Sequence, residues 1–159
     1  MKNLVLALTV VTTLSGAAFA ETVTGVKGKL AHLALYIGSG EYEAVLADPM
    51  VKQNLLQVVG KANMPQIERD LDVRGEIEYR EGCLVLEGNA PHQGGEEGVS
   101  IWIKVYDGSV RVGQIHKRKS IIYAKDSQYN YIPSGLRDYV KNPTFNMESK
   151  PPSGVTWMR

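Results

Sequence analysis

The sequence predicts an α+β fold, with N-terminal helices packed on an antiparallel β-meander. Two patterns predict it. The first half of the chain carries apolar residues at helical spacing with start and stop signals, whereas the second half alternates apolar and polar residues between turn signals. In addition to these two patterns, the sequence contains a long loop between two predicted strands, which we expect to protrude from the sheet.

The clearest helix is predicted to begin after Asp48. Aspartate is a good N-cap and Pro49 suits the first helical position. Gly60 provides the stop. The apolar residues between these signals recur at i, i+4, i+7 and i+8, which predicts one buried face formed by Val51, Leu55, Val58 and Val59.

Weaker helical signals lie on both sides of this segment. One stripe ends at the Gly38-Ser39-Gly40 run, and residues 64–71 predict a short helical turn. Residues 131–139, without an assigned helix or strand, are expected to cover one end of the fold and to dock through Leu136. The first stripe also alternates like a strand, and its residues are Leu30, Leu33 and Ile37.

Strand signals follow from residue 75 onward. Glu81-Gly82 predicts one tight turn and Asp107-Gly108 predicts a two-residue hairpin. The predicted strands carry Gly75, Ile77 and Tyr79, then residues 83–88, then Val99, Ile101, Ile103 and Val105, then Val110 and Val112, and finally residues 121–124 as the last strand.

The domain organisation predicted from the sequence has three parts. Residues 1–20 have the pattern of a cleavable signal peptide, with Lys2, a short apolar run and an Ala18-Phe19-Ala20 cleavage site. Residues 21–141 form one domain, and residues 142–159, rich in Pro, Ser, Asn and Gly, form an extended tail. The apolar run is too short to span a bilayer. These signals predict an exported protein without membrane insertion.

The charge distribution disfavours nucleic acid as a partner. The chain has 18 basic and 17 acidic residues, and removal of Lys2 with the signal peptide leaves zero net charge. Residues 41–97 carry a net charge of −7, whereas residues 104–159 carry +6. The two halves either neutralise each other within the fold or leave a basic face for an acidic partner. Cys83 is the single cysteine, so no internal disulfide is expected.

The loop predicted between the strands at 83–88 and 99–105 spans Asn89 to Gly98. It is ten residues of turn formers with His92 in the middle, which is longer than a hairpin requires. Loops supported by a rigid sheet commonly carry binding groups. We therefore expect the functional site here.

At this loop the chain resembles the Ivy family of periplasmic lysozyme inhibitors, which present a C-K-P-H-D-C-G loop between two strands. The aligned run here is Asn89-Ala90-Pro91-His92-Gln93-Gly94-Gly95, in which the proline, the histidine and the last glycine match. The order of elements is also similar over most of the chain after the signal peptide. The resemblance implies a non-enzymatic inhibitor without a cofactor, whose partner is a lysozyme or related peptidoglycan hydrolase.

The resemblance also implies the site residues. His92 enters the cleft of the target enzyme, while neighbouring residues shape the plug and Glu97 lies with Glu96 on its shoulder. The implied target-binding residues are Pro91, His92, Gln93, Gly94, Gly95 and Glu96. The target is a lysozyme-type muramidase, a lytic transglycosylase or an effector hydrolase, in which last case the chain is an immunity protein.

The chain departs from the family pattern at three positions of the loop. Asn89 and Gly94 replace the two cysteines, and Gln93 replaces the acidic residue. Loss of so short a disulfide loop removes roughly 2 kcal/mol of ordering. Asn89 is a candidate to replace the bridge by bonding to backbone amides further along.

Other functions remain open at this point. A binding module for an envelope glycan or anion, using the basic second half and the His116–Lys119 run, is the alternative. A metal site of His92, Glu96 and Glu97 is poorly supported. A thiol nucleophile at Cys83 is disfavoured by its place in a predicted strand, and no hydrolase motif is present. The sequence does not fix the oligomeric state.

Overall fold

A computed structural model describes residues 25–117, 119–125, 131–141 and 155–158. The predicted signal peptide lies outside these residues. The described chain begins with a 3₁₀ helix at Ala31–Tyr36 and continues with helices and strands. The elements are α1 (Tyr42–Leu46), α2 (Pro49–Val59), α3 (Met64–Arg69), β1 (Val73–Arg74), β2 (Glu78–Arg80), β3 (Cys83–Asn89), β4 (Glu97–Lys104), β5 (Val110–His116), β6 (Lys119–Tyr123), α4 (Ser134–Lys141) and β7 (Val155–Met158).

The strands form one sheet in the order β1-β3-β4-β5-β6-β7, and β2 also pairs with β3. The described pairs are antiparallel except for β6 and β7, which are parallel. Helices on a largely antiparallel sheet confirm the predicted α+β class. No helix among the described residues is long and apolar enough to cross a membrane.

The predicted end of the sheet is wrong. Residues 121–124 do not form the last strand, because β7 pairs with β6 from within the predicted tail. The proline-rich stretch before it masks the signal, although Val155, Thr156 and Trp157 are residues that favour strands. The domain boundary at residue 141 stays a prediction.

The larger core lies between the sheet and the first three helices. The predicted face of α2 is buried as expected, with 0–7% of each of its four residues exposed. This face of α2 packs with the odd-numbered residues of β4. Their side chains lie on one face of the sheet, because successive side chains of a strand point to opposite faces. The β4 residues of this face are Val99, Ile101 and Ile103.

The opposite face of the sheet is covered by α4. Trp102 is buried there, together with Leu136, which confirms the predicted docking residue. Glu81, at the turn between β2 and β3, fixes the start of α4, because its carboxylate accepts hydrogen bonds from the backbone N–H groups of Ser134 and Gly135, both at 2.9 Å.

The two ends of β4 face different surroundings. The turn that contains Asp107-Gly108 joins β4 to β5, but it is longer than the predicted two-residue hairpin, because β4 ends at Lys104, whose N–H donates to the Ser109 carbonyl at 2.8 Å. Gly108 packs against Met50 of α2. Its backbone φ of +78° requires the conformational freedom of glycine. The long loop and the β5–β6 turn lie at the other end of the sheet, because β4 begins there and pairs with the end of β5.

Two local predictions are changed by the structure. The first helical stripe forms a 3₁₀ helix, with Leu33 buried. The strand predicted from Gly75 to Tyr79 begins only at Glu78. Ile77 stays outside it because its N–H donates to the Ser39 carbonyl at 2.7 Å and its carbonyl accepts from Gly38 at 2.8 Å.

Asp48 caps α2 as predicted. Its carboxylate accepts from the N–H groups of Met50 at 2.9 Å and Val51 at 3.1 Å, and it bonds His32 at 3.0 Å. Burial would raise the pKa of Asp48, but these three hydrogen bonds outweigh it and lower the pKa. A depressed carboxyl pKa stabilises the fold above its unfolded value, and this contribution is lost as the pH falls through the folded value.

We expect Asp48→Ala to lower the free energy of unfolding by about 1 kcal/mol at neutral pH, with a smaller loss at acidic pH. Urea unfolding at both pH values measures this. Asp48→Asn is the control, since it keeps a cap oxygen and should lose less than the alanine variant. If both variants lose the same free energy of unfolding at neutral pH, the cap hydrogen bonds of Asp48 are not the source of its stabilising effect.

Candidate functional site

The loop between β3 and β4 is shorter than the sequence predicts. It consists of residues 90–96, because the ladder between the strands continues to the Asn89–Gly98 pair. Glu97 and Gly98 therefore belong to β4, and both are buried. The placement of Glu97 on the shoulder of a plug is wrong for this reason.

Six of these seven residues form the exposed part of the loop, and Ala90 anchors it in the interior with 1% exposure. Five of the six are exposed and Gly95 is half-buried; the six are Pro91, His92, Gln93, Gly94, Gly95 and Glu96. His92 has a φ of +58°, a left-handed conformation that is uncommon for a non-glycine residue. Histidine is among the residues that adopt it most readily, and His92 lies in a turn here.

Backbone hydrogen bonds give the loop its shape. The Gln93 N–H donates to the Ala90 carbonyl at 3.1 Å, which closes one turn across His92. The Gln93 carbonyl then accepts from the N–H groups of Glu96 at 3.0 Å and Glu97 at 3.1 Å. Gln93 therefore joins two successive turns, and His92 is an exposed residue within the first of them.

One side chain outside the loop supports it. The Arg69 guanidinium, at the end of α3, donates to the Gln93 side-chain oxygen at 3.0 Å. Gly88 of β3 permits this approach, because a Cβ at that position would lie 2.8 Å from the Asp70 carbonyl oxygen. The end of α3 thus rests directly on the strand that leads into the loop.

Glu97 holds the other end of the loop. Its side chain is only 9% exposed, and one oxygen lies 2.6 Å from His116 Nδ1. The other oxygen accepts from the Lys117 N–H at 3.1 Å, and Gln66 contributes a longer contact of 3.4 Å. A buried carboxylate is expensive unless it is bonded in this way. Glu97 therefore ties the loop exit to the β5–β6 turn and to α3.

A second buried carboxylate continues this network. Asp70 is fully buried and accepts from the side-chain amides of Gln66 and Gln114, both at 2.8 Å. Burial raises the pKa of Asp70, and the two amide bonds oppose the shift without cancelling it. The Tyr123 hydroxyl donates to Gln114 at 2.9 Å, so the polar network extends from the loop base into the helix-side core.

Two alternative kinds of chemistry, metal binding and attack by a thiol, can be compared with the geometry of the described residues. Within them no cluster of three or more His, Cys, Asp or Glu is arranged to hold a metal ion. Cys83 is buried, and burial raises the pKa of its thiol to about 11, which makes it a poor nucleophile. An exposed imidazole on a supported loop is suited to contact another molecule.

Sequence reasoning missed the residues that support the loop. Arg69 and Gln66 lie on a short helix far from the loop in sequence, and no local pattern links them to it. The expected role of Asn89 is not seen, because no side-chain hydrogen bond of Asn89 is found among the described residues. The glutamine that replaces the family's acidic residue is instead the acceptor for Arg69.

We expect Arg69→Ala to speed amide hydrogen exchange at Glu96 and Glu97, whose N–H groups bond the Gln93 carbonyl. The lost bond is exposed, so the change in protection should correspond to about 0.5–1.5 kcal/mol. Gln93→Ala should give a similar change, and the double variant no more than either single one. Additive effects would show that the two side chains act independently.

We expect Asp70→Asn to change how stability depends on pH. Because the folded pKa of Asp70 is raised, its ionisation costs stability as the pH rises from the ordinary carboxyl value of 3.8 through the folded value. The free energy of unfolding should therefore fall more steeply with pH in the wild type than in the variant across that window. Urea unfolding at several pH values measures both slopes, and identical slopes would contradict the assignment.

One of three comparisons with known proteins gave a match. A search of curated proteins and a search of solved structures each found no match. A scan against protein-family models matched the family described as inhibitor of vertebrate lysozyme (Ivy) over residues 50–144. This match covers more than half of the chain and includes the whole loop, all of α3 and the β4–β5–β6 meander. The chain therefore belongs to the Ivy family of lysozyme inhibitors.

Proposed function

We propose that this chain is a periplasmic inhibitor that blocks the cleft of a peptidoglycan-cleaving glycosidase, with a lysozyme-type muramidase as the first choice of target. A lytic transglycosylase or an effector hydrolase is the close variant, in which case the chain is an immunity factor. The mechanism is the same in each case. Residues 90–96 occupy the cleft, and the chain performs no catalysis of its own.

The observation that carries this proposal is the exposed His92 at the end of a loop whose base is buried. Glycosidase clefts place two carboxyl groups about 5–10 Å apart. An imidazole presents two nitrogens on opposite sides of a small ring, so it can bond to both groups at once. Hydrogen bonds to an ionised carboxylate are the strong class. His92 therefore acts as an inhibitory ligand.

The rest of the loop limits how His92 can approach. Pro91 fixes one backbone dihedral immediately before it. Gly94 and Gly95 have no side chains, which lets the backbone lie close to the walls of a cleft. The Gln93 side chain accepts a hydrogen bond from Arg69, which connects the loop to the end of α3. Glu96, at the end of the loop, is exposed beside the strand.

The cost of binding is reduced because the loop is already shaped before it meets the target. Ordering a flexible side chain or loop at an interface costs about 0.5–1.5 kcal/mol per side chain. Three backbone hydrogen bonds and the Arg69 contact supply part of this order in the free chain. They act where the family relies on a disulfide.

We expect His92→Ala to weaken inhibition of the target by about 30-fold or more, since truncation of a desolvated charged pair costs about 2–5 kcal/mol. Steady-state muramidase assays with the chain lacking residues 1–20 measure this. The control is His32→Ala, because His32 is 57% exposed and bonds Asp48 in the helical layer. The control should inhibit like the wild type.

Two outcomes would contradict the mechanism. Equal potency of the wild type and His92→Ala would remove His92 from it. Failure of the wild-type chain to inhibit any member of a panel of muramidases and lytic transglycosylases would remove the inhibitor assignment for this chain.

A further inference from the structure

We propose that Lys117 and Lys119 form a second contact surface beside the loop, and that the target carries negative charge around the mouth of its cleft. This inference rests on the proposed function and adds a requirement on the partner. The surface, called here the basic turn, consists of the exposed side chains of Lys117, which follows β5, and Lys119, which begins β6.

The sheet places the basic turn next to the loop. Glu97 immediately follows the loop and pairs with His116, and His116 in turn pairs with Lys119 across the β5–β6 turn. Strands in such ladders are about 5 Å apart. The turn is therefore within two strand spacings of the exit of the loop, at the same end of the sheet.

Glu97 also fixes the two surfaces relative to each other. The same carboxylate bonds the His116 ring at 2.6 Å and the Lys117 N–H at 3.1 Å. Lys117 has a φ of +51°, so the turn is tight and its direction is set by the backbone. A partner that accepts the loop must therefore also meet the basic turn.

The charges at this end of the sheet are unevenly exposed. Lys117 and Lys119 are exposed, whereas the carboxylates of Glu97 and Asp70 are buried and hydrogen-bonded. Glu96 is the exposed acid on the loop. Burial of the two acids removes them from contact with a partner, so the exposed charges described here are those of the two lysines and Glu96, and the basic turn itself carries positive charge.

A glycosidase cleft is the surface that such a pair of lysines fits. Its carboxylates already make the interior negative, and further acidic residues at its mouth would face the basic turn when the loop is seated. Charge complementarity of this kind mainly increases the association rate, by about 10-fold to 1,000-fold, and it is weakened by salt. The basic turn would therefore select enzymes with an acidic mouth among those the loop can enter.

The test compares two double variants, each of which replaces two lysines by glutamates, so that both have the same net charge. The first is Lys117→Glu/Lys119→Glu. The matched control is Lys52→Glu/Lys104→Glu, because both control lysines are exposed, Lys104 ends β4 at the opposite end of the sheet, and Lys52 lies on α2 near the hairpin there. Association and dissociation rates with an inhibited muramidase are measured at low and at physiological salt, and His92→Ala is measured alongside.

We expect the first variant to associate at least about 10-fold more slowly at low salt, with a smaller difference at physiological salt. The control should change the rate by less than about twofold. Equal effects of both variants would mean that only net charge matters, and no effect of either would remove the basic turn from the interface. In both cases a large effect of His92→Ala would leave the inhibitor function standing.

A sedimentation assay with purified sacculi separates this proposal from direct binding to the cell wall. Salt-dependent binding that is lost in Lys117→Glu/Lys119→Glu, without any change in the association rate with the enzyme, would assign the turn to an anionic wall polymer and overturn the proposal. If the wild type inhibits no enzyme of the panel, the proposed function fails, and this inference fails with it.

Discussion

The functional end of the molecule depends on the hydrogen bonds that the buried carboxylate of Glu97 makes. It lies at the first position of β4, immediately after the loop, and it joins three elements that are distant in sequence. A buried charge without these partners would cost several kcal/mol. The same penalty therefore keeps the loop exit, the end of α3 and the β5–β6 turn together.

The general architecture could be predicted because its signals are local. The cap at Asp48, the stop at Gly60 and the alternation through Val99–Ile103 each lie at or within one element, and each is found where the sequence places it. The turn after β4 contains Gly108 at a positive φ, although it is longer than the two residues that the sequence predicts. Patterns of this kind reflect backbone preferences and burial, which a single sequence records directly.

The features that could not be predicted depend on contacts between distant segments. Nothing around Arg69 indicates that it meets Gln93, and nothing around Ile77 indicates that it pairs with the backbone near Ser39. The loop is likewise shorter than expected because cross-strand pairing extends to Gly98. In each case tertiary packing decides a question that local propensity leaves open.

The absence of the family's two loop cysteines from this chain has a physical consequence for recognition. A disulfide across so short a loop contributes roughly 2 kcal/mol, whereas an exposed hydrogen bond such as that of Arg69 with Gln93 contributes about 1 kcal/mol. The buried base offsets part of the difference, but it acts below the loop and does not restrain His92 itself. The exposed end therefore keeps more freedom than a bridged loop would have.

Under the proposed function, the hydrogen bonds of the loop set most of its shape in the free chain, and what freedom remains at its exposed end is lost when it meets the target. Attraction that holds the target nearby favours this last step. Long-range charge attraction holds two proteins close without requiring a particular loop shape, since it acts over about 10 Å at moderate salt. A basic turn fixed to the same carboxylate as the loop is suited to this task. The proposed mode of recognition therefore combines a loop without a covalent restraint and exposed lysines beside it.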